Sequence, residues 1–484
     1  MSLILAIDQG TTNTKALLVD REGQPIHRAS SRLRLLHPEP DFVEQDPLAI
    51  LRSVDHVIAD CLAFGKRIAA IGISNQRETV LAWDRKTGEP IGNAITWQCR
   101  RATAICDRLR LDGHEPLLRE RTGLGIDPLF SAAKLAWLLD RTPGLRDRAH
   151  AGEICFGTVD SWLLYHLTGG THHVCDHSNA ARTQLLNLHT SIWDPDLLAI
   201  FGIPIAALPT LHASTGRFAD CTLPGLAGIP ILAALGDSHA ALAGHGSTAP
   251  GTIKATYGTG SSLMTLTSGL TSNPASQLSQ TIAWSTACCT NYALEGNINM
   301  TGSAIQWLGE FLALANPVED AVALAASVPD SGGVHFIPAM SGLGAPHWDS
   351  AARGTIAGLT RTSTRAHLAR AAVDCIAFQV RDVFDAMQHE SGIALPALHA
   401  DGGATRNDAL MQFQAGILGR PVHRSTTEDL SALGAARLAG LALGWWPSLE
   451  SLSHATTTFT PQMSGSEREA RYSAWQHAVQ QARA

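Results

Sequence analysis

The sequence lacks any excess of positive charge: 36 Lys and Arg stand against 43 Asp and Glu, which gives a formal net charge of −7. Binding to nucleic acid or to an anionic membrane surface usually requires a basic patch, so neither partner is expected. Apolar runs that approach the roughly 20 residues of a membrane span are also missing, and "MSLILAIDQG" reaches an acid without a basic region. We therefore expect a cytoplasmic protein whose partner is a small molecule.

Paired Cys-x-x-Cys spacing is absent among the nine cysteines, an odd number. This argues against a disulfide framework and against a structural zinc site. Cys288 and Cys289 are adjacent, and we expect them to be reduced. The sequence also has no GxxxxGK[ST] and no GxGxxG, so neither a P-loop nor a dinucleotide fingerprint is available.

What is present is typical of a folded, turn-rich enzyme. The chain has 484 residues, 45% of them hydrophobic and 43 of them glycine. This length is too great for one ordinary core, so we expect two large domains or several smaller ones.

Strands and tight turns open the chain and recur in its second half. "LILAID", the turn "QGTTN", "TKALLVD", the turn "REGQ" and "PIHRAS" predict a meander, and "GTIKATYGTGSSLMTLTS" repeats its first hairpin. Helical spacing in "FSAAKLAWLLDR" and the strand, double glycine and helix of "LHADGGATRNDALMQFQAGILGRPV" make the fold α/β. Ser466 and Glu469 predict a capping box for a C-terminal surface helix. The similar openings suggest an internal duplication.

Glycine-rich turns after strands let backbone N–H groups approach phosphates, although any one of them alone is more often an ordinary turn. Asp237 in "ALGDSHAALAGHG" has two interpretations. Its carboxylate could cap a helix, or it could act as a buried general base.

Ten motifs follow one another in a fixed order between residues 8 and 408, within a similarity that extends from residue 4 to about residue 446. They are "DQGTTNTK", "FVEQDP", "GISNQRET", "TWQCRR", "GTVDSWL", "YGTG", "ALEGNINMTGSAIQWL", "SGLGAPHWD", "RGTIAGLTR" and "DGGATRND". This ordered set resembles the FGGY carbohydrate kinases, and among them the glycerol kinases most.

The resemblance implies an α/β fold of two actin-like (ribonuclease H-like) domains, each a mixed sheet flanked by helices, with the active site in the cleft between them. The N-terminal domain would span residues 1–244 and the nucleotide-binding C-terminal domain residues 245–484. ATP and Mg²⁺ would be used, and the chain would form a dimer or tetramer by analogy. Phosphoryl transfer depends on positioning and charge neutralisation, which suits a cleft lined by polar turns.

By the same resemblance, residues of three turns would bind ATP. They are Thr11, Thr12, Asn13, Lys15 and Thr259 at the phosphates, Gly302 and Gln306 beside the nucleotide, and Gly403 with Asn407 at the adenosine part. Lys15 stands where the family commonly has Arg, which keeps the charge but loses the planar fork. Asp8 would help to organise Mg²⁺, through water.

The acceptor pocket would be formed by Arg77 and Glu78, which can grip neighbouring hydroxyls, and by Trp97, which can wall the pocket. Without the motifs, Arg77 and Glu78 would be interpreted as a surface ion pair and Trp97 as core packing. Asp237 would take the proton of the attacking hydroxyl, and one of its oxygens could still cap the helix.

Three positions depart from the glycerol kinase pattern. Leu129 replaces the usual Tyr, Ser238 the usual Gln and Ser262 the usual Phe. Because each change removes bulk, we predict that the acceptor is glycerol or a somewhat larger polyol or ketose of four or five carbons. A pentulose kinase of the xylulose or ribulose type is the alternative.

Two alternatives come from other functional classes. An actin-like ATPase, such as a chaperone or filament protein, would share the hairpins and "DGG" but has no need of "NQRE" or "TWQCRR". A non-catalytic sugar sensor could keep the pocket but should have lost the base or the phosphate turns.

Overall fold

The first half of the chain builds a six-stranded sheet and a smaller four-stranded sheet, with helices around them. The computed structural model describes residues 2–271, 273, 276–452 and 455–484. The strands of this half are β1 Ser2–Gln9, β2 Asn13–Val19, β3 Pro25–Arg32, β4 Glu44–Gln45, β5 Arg67–Asn75, β6 Val80–Asp84, β7 Ala94–Ile95, β8 Ile154–Thr158, β9 Val174–Asp176, β10 Leu186–Asn187, β11 Ile192–Trp193, β12 Thr210–His212, β13 Thr215–Asp220 and β14 Pro230–Gly236. The helices are α1 Pro47–Ala63, α2 Thr103–Leu111, α3 Glu115–Thr122, α4 Ser131–Arg141, α5 Leu145–His150, α6 Val159–Leu167, α7 His177–Ala180, α8 Pro195–Phe201 and α9 Asp237–Gly244.

The second half builds a seven-stranded sheet. Its strands are β15 Ile253–Tyr257, β16 Ser261–Thr267, β17 Ser279–Ser285, β18 Thr290–Ile298, β19 His335–Ile337, β20 Thr355–Ala357, β21 Leu398–Asp401, β22 Val422–Ser425 and β23 Thr456–Phe459. The helices are α10 Gly302–Phe311, α11 Pro317–Ala326, α12 Arg365–Ser391, α13 Asp408–Leu418, α14 Leu430–Ala442 and α15 Gly465–Arg483. None of the helices within the described ranges combines the length and the apolar character needed to cross a membrane.

The two large sheets share one plan. In the first, the antiparallel meander β3-β2-β1 continues into the parallel strands β5 and β14 and ends on antiparallel β13. In the second, the meander β18-β16-β15 continues into parallel β21 and β22 and ends on antiparallel β23, with β17 added at the other edge. The mixed α/β architecture predicted from the sequence is confirmed, and the repeated plan agrees with an internal duplication.

The predicted hairpins form where glycine and polar residues interrupt alternating strands. β1 and β2 pair from Ile4 with Val19 to Gln9 with Thr14, and residues 10–12 form the turn between the end of β1 and the start of β2 at Asn13. β15 and β16 pair from Ile253 with Thr265 to Tyr257 with Ser261, which leaves residues 258–260 as the second turn. The same residue types therefore produce the same local structure twice.

Two capping predictions need correction. The C-terminal helix α15 is capped by Ser464, whose hydroxyl accepts the N–H of Glu467 at 3.2 Å, and not by a box of Ser466 and Glu469. Glu469 instead reaches α12, where it accepts from Arg381 at 2.7 Å. Gly236, and not Asp237, is the N-cap of α9, but Asp237 is the first helical residue and its Oδ1 does accept the first-turn N–H of Ser238 at 2.6 Å.

Helix α14 ties the second half to the first sheet. A side chain on Gly434 would place its Cβ 1.8 Å from the carbonyl oxygen of Ala240 in α9. A Cβ on Gly72, in β5, would lie 2.5 Å from the carbonyl oxygen of Ala435. The backbones of α14, α9 and β5 therefore touch, and this contact fixes the helix that begins at Asp237.

Gly434→Ala tests this contact. Helix propensity alone would favour Ala by about 1 kcal/mol, but overpacking typically costs about 1–3 kcal/mol, and more where backbone is struck. We expect a net loss in the free energy of unfolding, measured by urea denaturation. Gly269→Ala is the control, because its Cβ would meet nothing within 4 Å. Equal effects of the two substitutions would contradict the close approach.

Candidate functional site

A chain of buried amides holds the first turn in place. Gln76 Nε2 donates to Gln9 Oε1 at 3.0 Å and to Gln45 Oε1 at 2.8 Å, and Gln45 Nε2 donates to the Thr11 carbonyl at 2.6 Å. Trp97 Nε1 donates to Thr11 Oγ1 at 2.9 Å. The motifs "DQGTTNTK", "FVEQDP", "GISNQRET" and "TWQCRR", far apart in sequence, therefore meet around one turn, which leaves Thr12 exposed.

The second turn rests on the start of α10. The N–H of Thr301 bonds the Thr259 carbonyl at 2.9 Å, and the N–H of Gly302 bonds the Gly258 carbonyl at 3.0 Å. A Cβ on Gly302 would come within 2.7 Å of that Gly258 oxygen, so glycine allows the close approach. Thr259 is exposed at the tip of the turn, and Gln306 is exposed one turn into α10, where it bonds Glu310.

The third turn lies at the end of β21. Gly402 has φ +97°, and its Cβ would lie 2.5 Å from the Tyr257 carbonyl oxygen, so this glycine is required next to β15. Gly403 is exposed, with open space where its Cβ would be. Asn407 is the N-cap of α13 and accepts the N–H of Leu410 at 3.1 Å. The three turns thus present small and hydroxyl residues backed by fixed backbone.

Asp237 stands where the two halves meet. Its Oδ1 accepts the N–H of Ser238 at 2.6 Å and lies 3.2 Å from Arg77 Nε. Its side chain is 40% exposed, and its Oδ2 forms no hydrogen bond with the described residues. Gly236 lets Arg77 pass, because a Cβ there would lie 2.5 Å from the Arg77 Cγ.

Glu295 of β18 is the fully buried centre of the charges around Asp237. Its Oε1 lies 2.8 Å from Arg77 Nη1 and its Oε2 lies 2.8 Å from Arg182 Nη1. Arg182 Nε in turn lies 2.6 Å from Glu78 Oε1, and its guanidinium lies 5.1 Å from the centre of the Phe130 ring. One carboxylate from the second half therefore orients two arginines from the first.

Ser238 and Ser262 form a hydroxyl pair beside Asp237. Their Oγ atoms are 2.9 Å apart. Lys254 Nζ, itself buried, donates to Ser238 Oγ at 2.6 Å, and Ser262 Oγ donates to Glu295 Oε1 at 3.0 Å. The pair is thus anchored at one end by a cation and at the other by an anion.

Glu78 and Leu129, both predicted to line the acceptor pocket, have distinct local surroundings. Glu78 has φ +61°, a left-handed conformation that is rare for a residue with a side chain and that is found mostly where surrounding contacts enforce it. Leu129 is half-buried beside Phe130, and its carbonyl accepts from the buried Lys134 at 2.5 Å. The neighbouring Phe130 ring, and not Leu129 itself, packs against Arg182 of the cluster.

Asp8 and Lys15 face each other in the β1–β2 register. Ser74 Oγ donates to Asp8 Oδ1 at 2.8 Å. Lys15 Nζ lies 2.9 Å from Asp429, which also pairs with Arg28 at 2.7 Å. The charge of Lys15 is therefore already partly neutralised by an acid at the start of α14.

Burial dominates the protonation of these groups. Removal from water raises the pKa of Asp8 to about 7, which Lys15 opposes and the negative charge of Asp237 reinforces. Desolvation also raises the pKa of Asp237, against the lowering effect of the Arg77 guanidinium. Glu295 behaves in the opposite way: although burial raises its pKa, Arg182 and Arg77 together hold it well below its ordinary value. Glu295 therefore stays ionised, whereas Asp8 can hold a proton near neutral pH and the pKa of Asp237 lies above its ordinary value.

Most of the predicted acceptor residues meet in one cluster: Arg77, Glu78, Asp237, Ser238 and Ser262. Trp97 lies at the first turn, where its Nε1 donates to Thr11 Oγ1, and its backbone N–H donates to Thr79 Oγ1 at 3.2 Å, next to Glu78 in the sequence. Arg182, Glu295 and Lys254 were not assigned from the sequence. Glu295 lies in "ALEGNINMTG" and Lys254 in "GTIKATYGTG". Both stretches were identified from the sequence, but the roles of these two residues were not predicted.

Two family models match the chain in sequence order. The N-terminal domain model of the FGGY family of carbohydrate kinases matches residues 3–244, and the C-terminal domain model of that family matches residues 253–443. The predicted domain boundary at residue 244 is still a prediction. Helix α14 lies after this boundary in the sequence but packs on the sheet of the first half.

Curated relatives match almost from end to end. A glycerol kinase of Stenotrophomonas maltophilia is 49% identical over 98% of this chain and 97% of the relative. Glycerol kinase 2 of Thermotoga maritima is 45% identical over 99% of this chain and 98% of the relative.

Solved structures share the fold. Plasmodium falciparum glycerol kinase with ADP superposes with a TM-score of 0.91 at 31% identity, over 100% of this chain and 98% of that one. A ligand-bound xylulose kinase from Lactobacillus acidophilus gives a TM-score of 0.88 at 25% identity, over 100% and 97% of the two chains.

Glu295→Gln tests the buried charge cluster. The amide keeps the shape but leaves two buried guanidiniums without their shared anion, and breaking such a pair typically costs about 3–5 kcal/mol. We expect a loss of this order in the free energy of unfolding. Glu467→Gln is the control, because Glu467 forms a surface pair with Arg471 on α15; such pairs contribute at most about 1 kcal/mol. A Glu295→Gln protein as stable as the control would contradict the role of Glu295.

Proposed function

Because the chain belongs to the FGGY family of carbohydrate kinases, we propose that Asp237 is the general base in the transfer of the γ-phosphate of ATP to a terminal hydroxyl of glycerol or a somewhat larger acceptor. The chain is an ATP-dependent glycerol or polyol kinase, a phosphotransferase with an alcohol group as acceptor. We further propose which residue is the base, which residues contact the phosphates, which residue holds the ion and how large the acceptor is.

The geometry of Asp237 is the observation that supports the base. Its Oδ1 is held by the Ser238 N–H and by Arg77, while its Oδ2 forms no hydrogen bond with the described residues. An attacking hydroxyl within hydrogen-bond reach of Oδ2 can pass its proton to this oxygen. The raised pKa of Asp237 makes the carboxylate a better proton acceptor than an aspartate of ordinary pKa.

The two hairpin turns would hold the phosphates from opposite halves. Thr12 and Thr259 are exposed at their tips, and each turn is fixed from behind, by the buried amides or by the start of α10. Such preorganised donors stabilise developing charge without reorganising during the reaction. The exposed Gly403, next to the α13 cap Asn407, leaves room for the adenosine part.

The carboxylates of Asp8 and Asp237 would fit a divalent cation. The mutual repulsion of Asp8 and Asp237 helps to raise the pKa of Asp8, and a hard cation with oxygen ligands relieves this repulsion. Asp8 would hold Mg²⁺, through water, and when bound the ion would supply neutralisation of the phosphate charge. Lys15, paired with Asp429, adds positive charge on the same side.

The hydroxyl pair of Ser238 and Ser262 supports a larger acceptor. Where the glycerol kinase pattern has Gln and Phe, this site has two small hydroxyls anchored on Lys254 and Glu295. We propose that this space receives an additional hydroxyl or carbonyl carbon of a four- or five-carbon polyol or ketose. A pentulose is the second candidate, and the xylulose kinase fold match is compatible with it. Assembly into a homo-oligomer is still a prediction by family analogy.

Asp237→Asn tests the base. Loss of general-base catalysis typically costs about 10²- to 10⁴-fold, so acceptor-dependent ATP consumption should fall by that order while ATP binding, followed by calorimetry, persists. Asp196→Asn is the matched control, because Asp196 is an exposed acid in the first turn of another short helix, α8. An Asp237→Asn enzyme with the control's activity would reject the base.

Ser238→Gln combined with Ser262→Phe tests the enlarged pocket. Refilling the space should shift kcat/KM toward glycerol and away from tetritols and pentuloses by about 10-fold or more, the size expected for excluding one carbon. Ser466→Gln is the control, because Ser466 is likewise the second residue of its helix but lies on the surface. A wild-type enzyme that turns over glycerol far better than every longer acceptor would contradict the enlarged pocket.

A further inference from the structure

Two of the nine cysteines differ from the other seven in exposure. All nine lie within the described ranges, and the buried ones are Cys61, Cys99, Cys106, Cys155, Cys175, Cys221 and Cys375. Burial raises the pKa of the Cys61 and Cys106 thiols to about 12, which makes thiolate scarce at neutral pH. Cys288 and Cys289 are exposed, at the tip of the turn between β17 and β18.

Thr286 organises this tip. Its N–H donates to the Cys289 carbonyl at 2.8 Å, and its Oγ1 accepts the N–H groups of Cys288 and Cys289 at 3.3 and 3.2 Å. The same Oγ1 lies 3.3 Å from Cys288 Sγ and 3.2 Å from Cys289 Sγ. The two sulfurs therefore share one hydroxyl, and hydrogen bonds from Thr286 and Cys289 lower the pKa of the Cys288 thiol.

The base of the turn is fixed to the other half of the chain. Ser285 Oγ accepts the N–H of Ser214 at 3.1 Å and lies 2.9 Å from His177 Nδ1, while Ser285 N–H donates to Ser214 Oγ at 3.1 Å. Ser285 also pairs with Thr290 across the hairpin. The tip is consequently presented to solvent from an anchored base.

We propose that Cys288 and Cys289 form a site of thiol–disulfide exchange that accepts low-molecular-weight disulfides of the glutathione type. This site is separate from the kinase chemistry, since neither cysteine contacts the cluster around Asp237 in the described structure.

The exchange proceeds in two steps. The Cys288 thiolate attacks one sulfur of the small disulfide, whose S–S bond breaks, and one small thiolate leaves and takes up a proton. Cys289 then loses its proton and attacks the Cys288 sulfur, which releases the second small thiol. In total, two protein thiols are oxidised to one Cys288–Cys289 disulfide, and one small disulfide is reduced to two thiols.

The test uses the full-length folded protein and oxidised glutathione. After acid quenching and proteolysis, mass spectrometry should show that the peptide with both cysteines has lost two hydrogens while the other seven thiols stay free. Dithiothreitol should reverse the change. In urea, where burial no longer protects them, all nine thiols should react.

Serine variants separate the roles of the two thiols. Cys289→Ser lacks the resolving thiol and should retain glutathione on Cys288. Cys288→Ser should take up glutathione at least about tenfold more slowly than Cys289→Ser. Both variants should melt at the wild-type temperature. Two free thiols in the treated wild-type peptide, a stable wild-type glutathione adduct, or equal rates for the two variants would each overturn the proposal.

Discussion

The fully buried carboxylate of Glu295 is the interaction on which the rest of the site depends. Two guanidiniums in the first half of the chain need a counter-charge that water cannot supply, and the second half provides it through β18. A buried ion pair gives little net stability compared with an apolar core, but it is costly to break. Its main effect here is geometric: Arg77 is held against Asp237, and Arg182 against Glu78.

Close backbone contacts near this charge cluster also hold Asp237 in place. Glycines 72 and 434 let β5, α9 and α14 approach one another more closely than side chains would allow. The helix that begins at Asp237 therefore cannot tilt independently of α14, which carries chain from the second half. The ion pair with Arg77 and the close packing of α9 against α14 together fix the position of the Asp237 carboxylate between the two halves of the chain.

Local structure was largely predictable from the sequence, and the pairing of charges was not. The hairpins at residues 10–12 and 258–260 follow from alternation and glycine, signals that lie within a few residues of each other. Some ion pairs join residues more than a hundred positions apart, as in Arg182 with Glu295 and Lys15 with Asp429. No local sequence pattern predicts such pairs. Asp237 and Arg77 were predicted only because the family resemblance assigned roles to them. Arg182 lies outside every quoted motif and was not predicted. The C-terminal cap was wrong by two residues because Ser464 and Ser466 are equally good capping residues and only the geometry of the incoming chain decides between them.

The most direct test of this account is a crystal structure with a four-carbon polyol and a non-hydrolysable ATP analogue bound together. The account predicts a terminal hydroxyl of the polyol within about 2.6–3.2 Å of Asp237 Oδ2, with Arg77 still paired to Glu295 and the far carbon beside Ser238 and Ser262. A polyol whose hydroxyls avoid Asp237, or a site in which Arg77 has left Glu295, would contradict it.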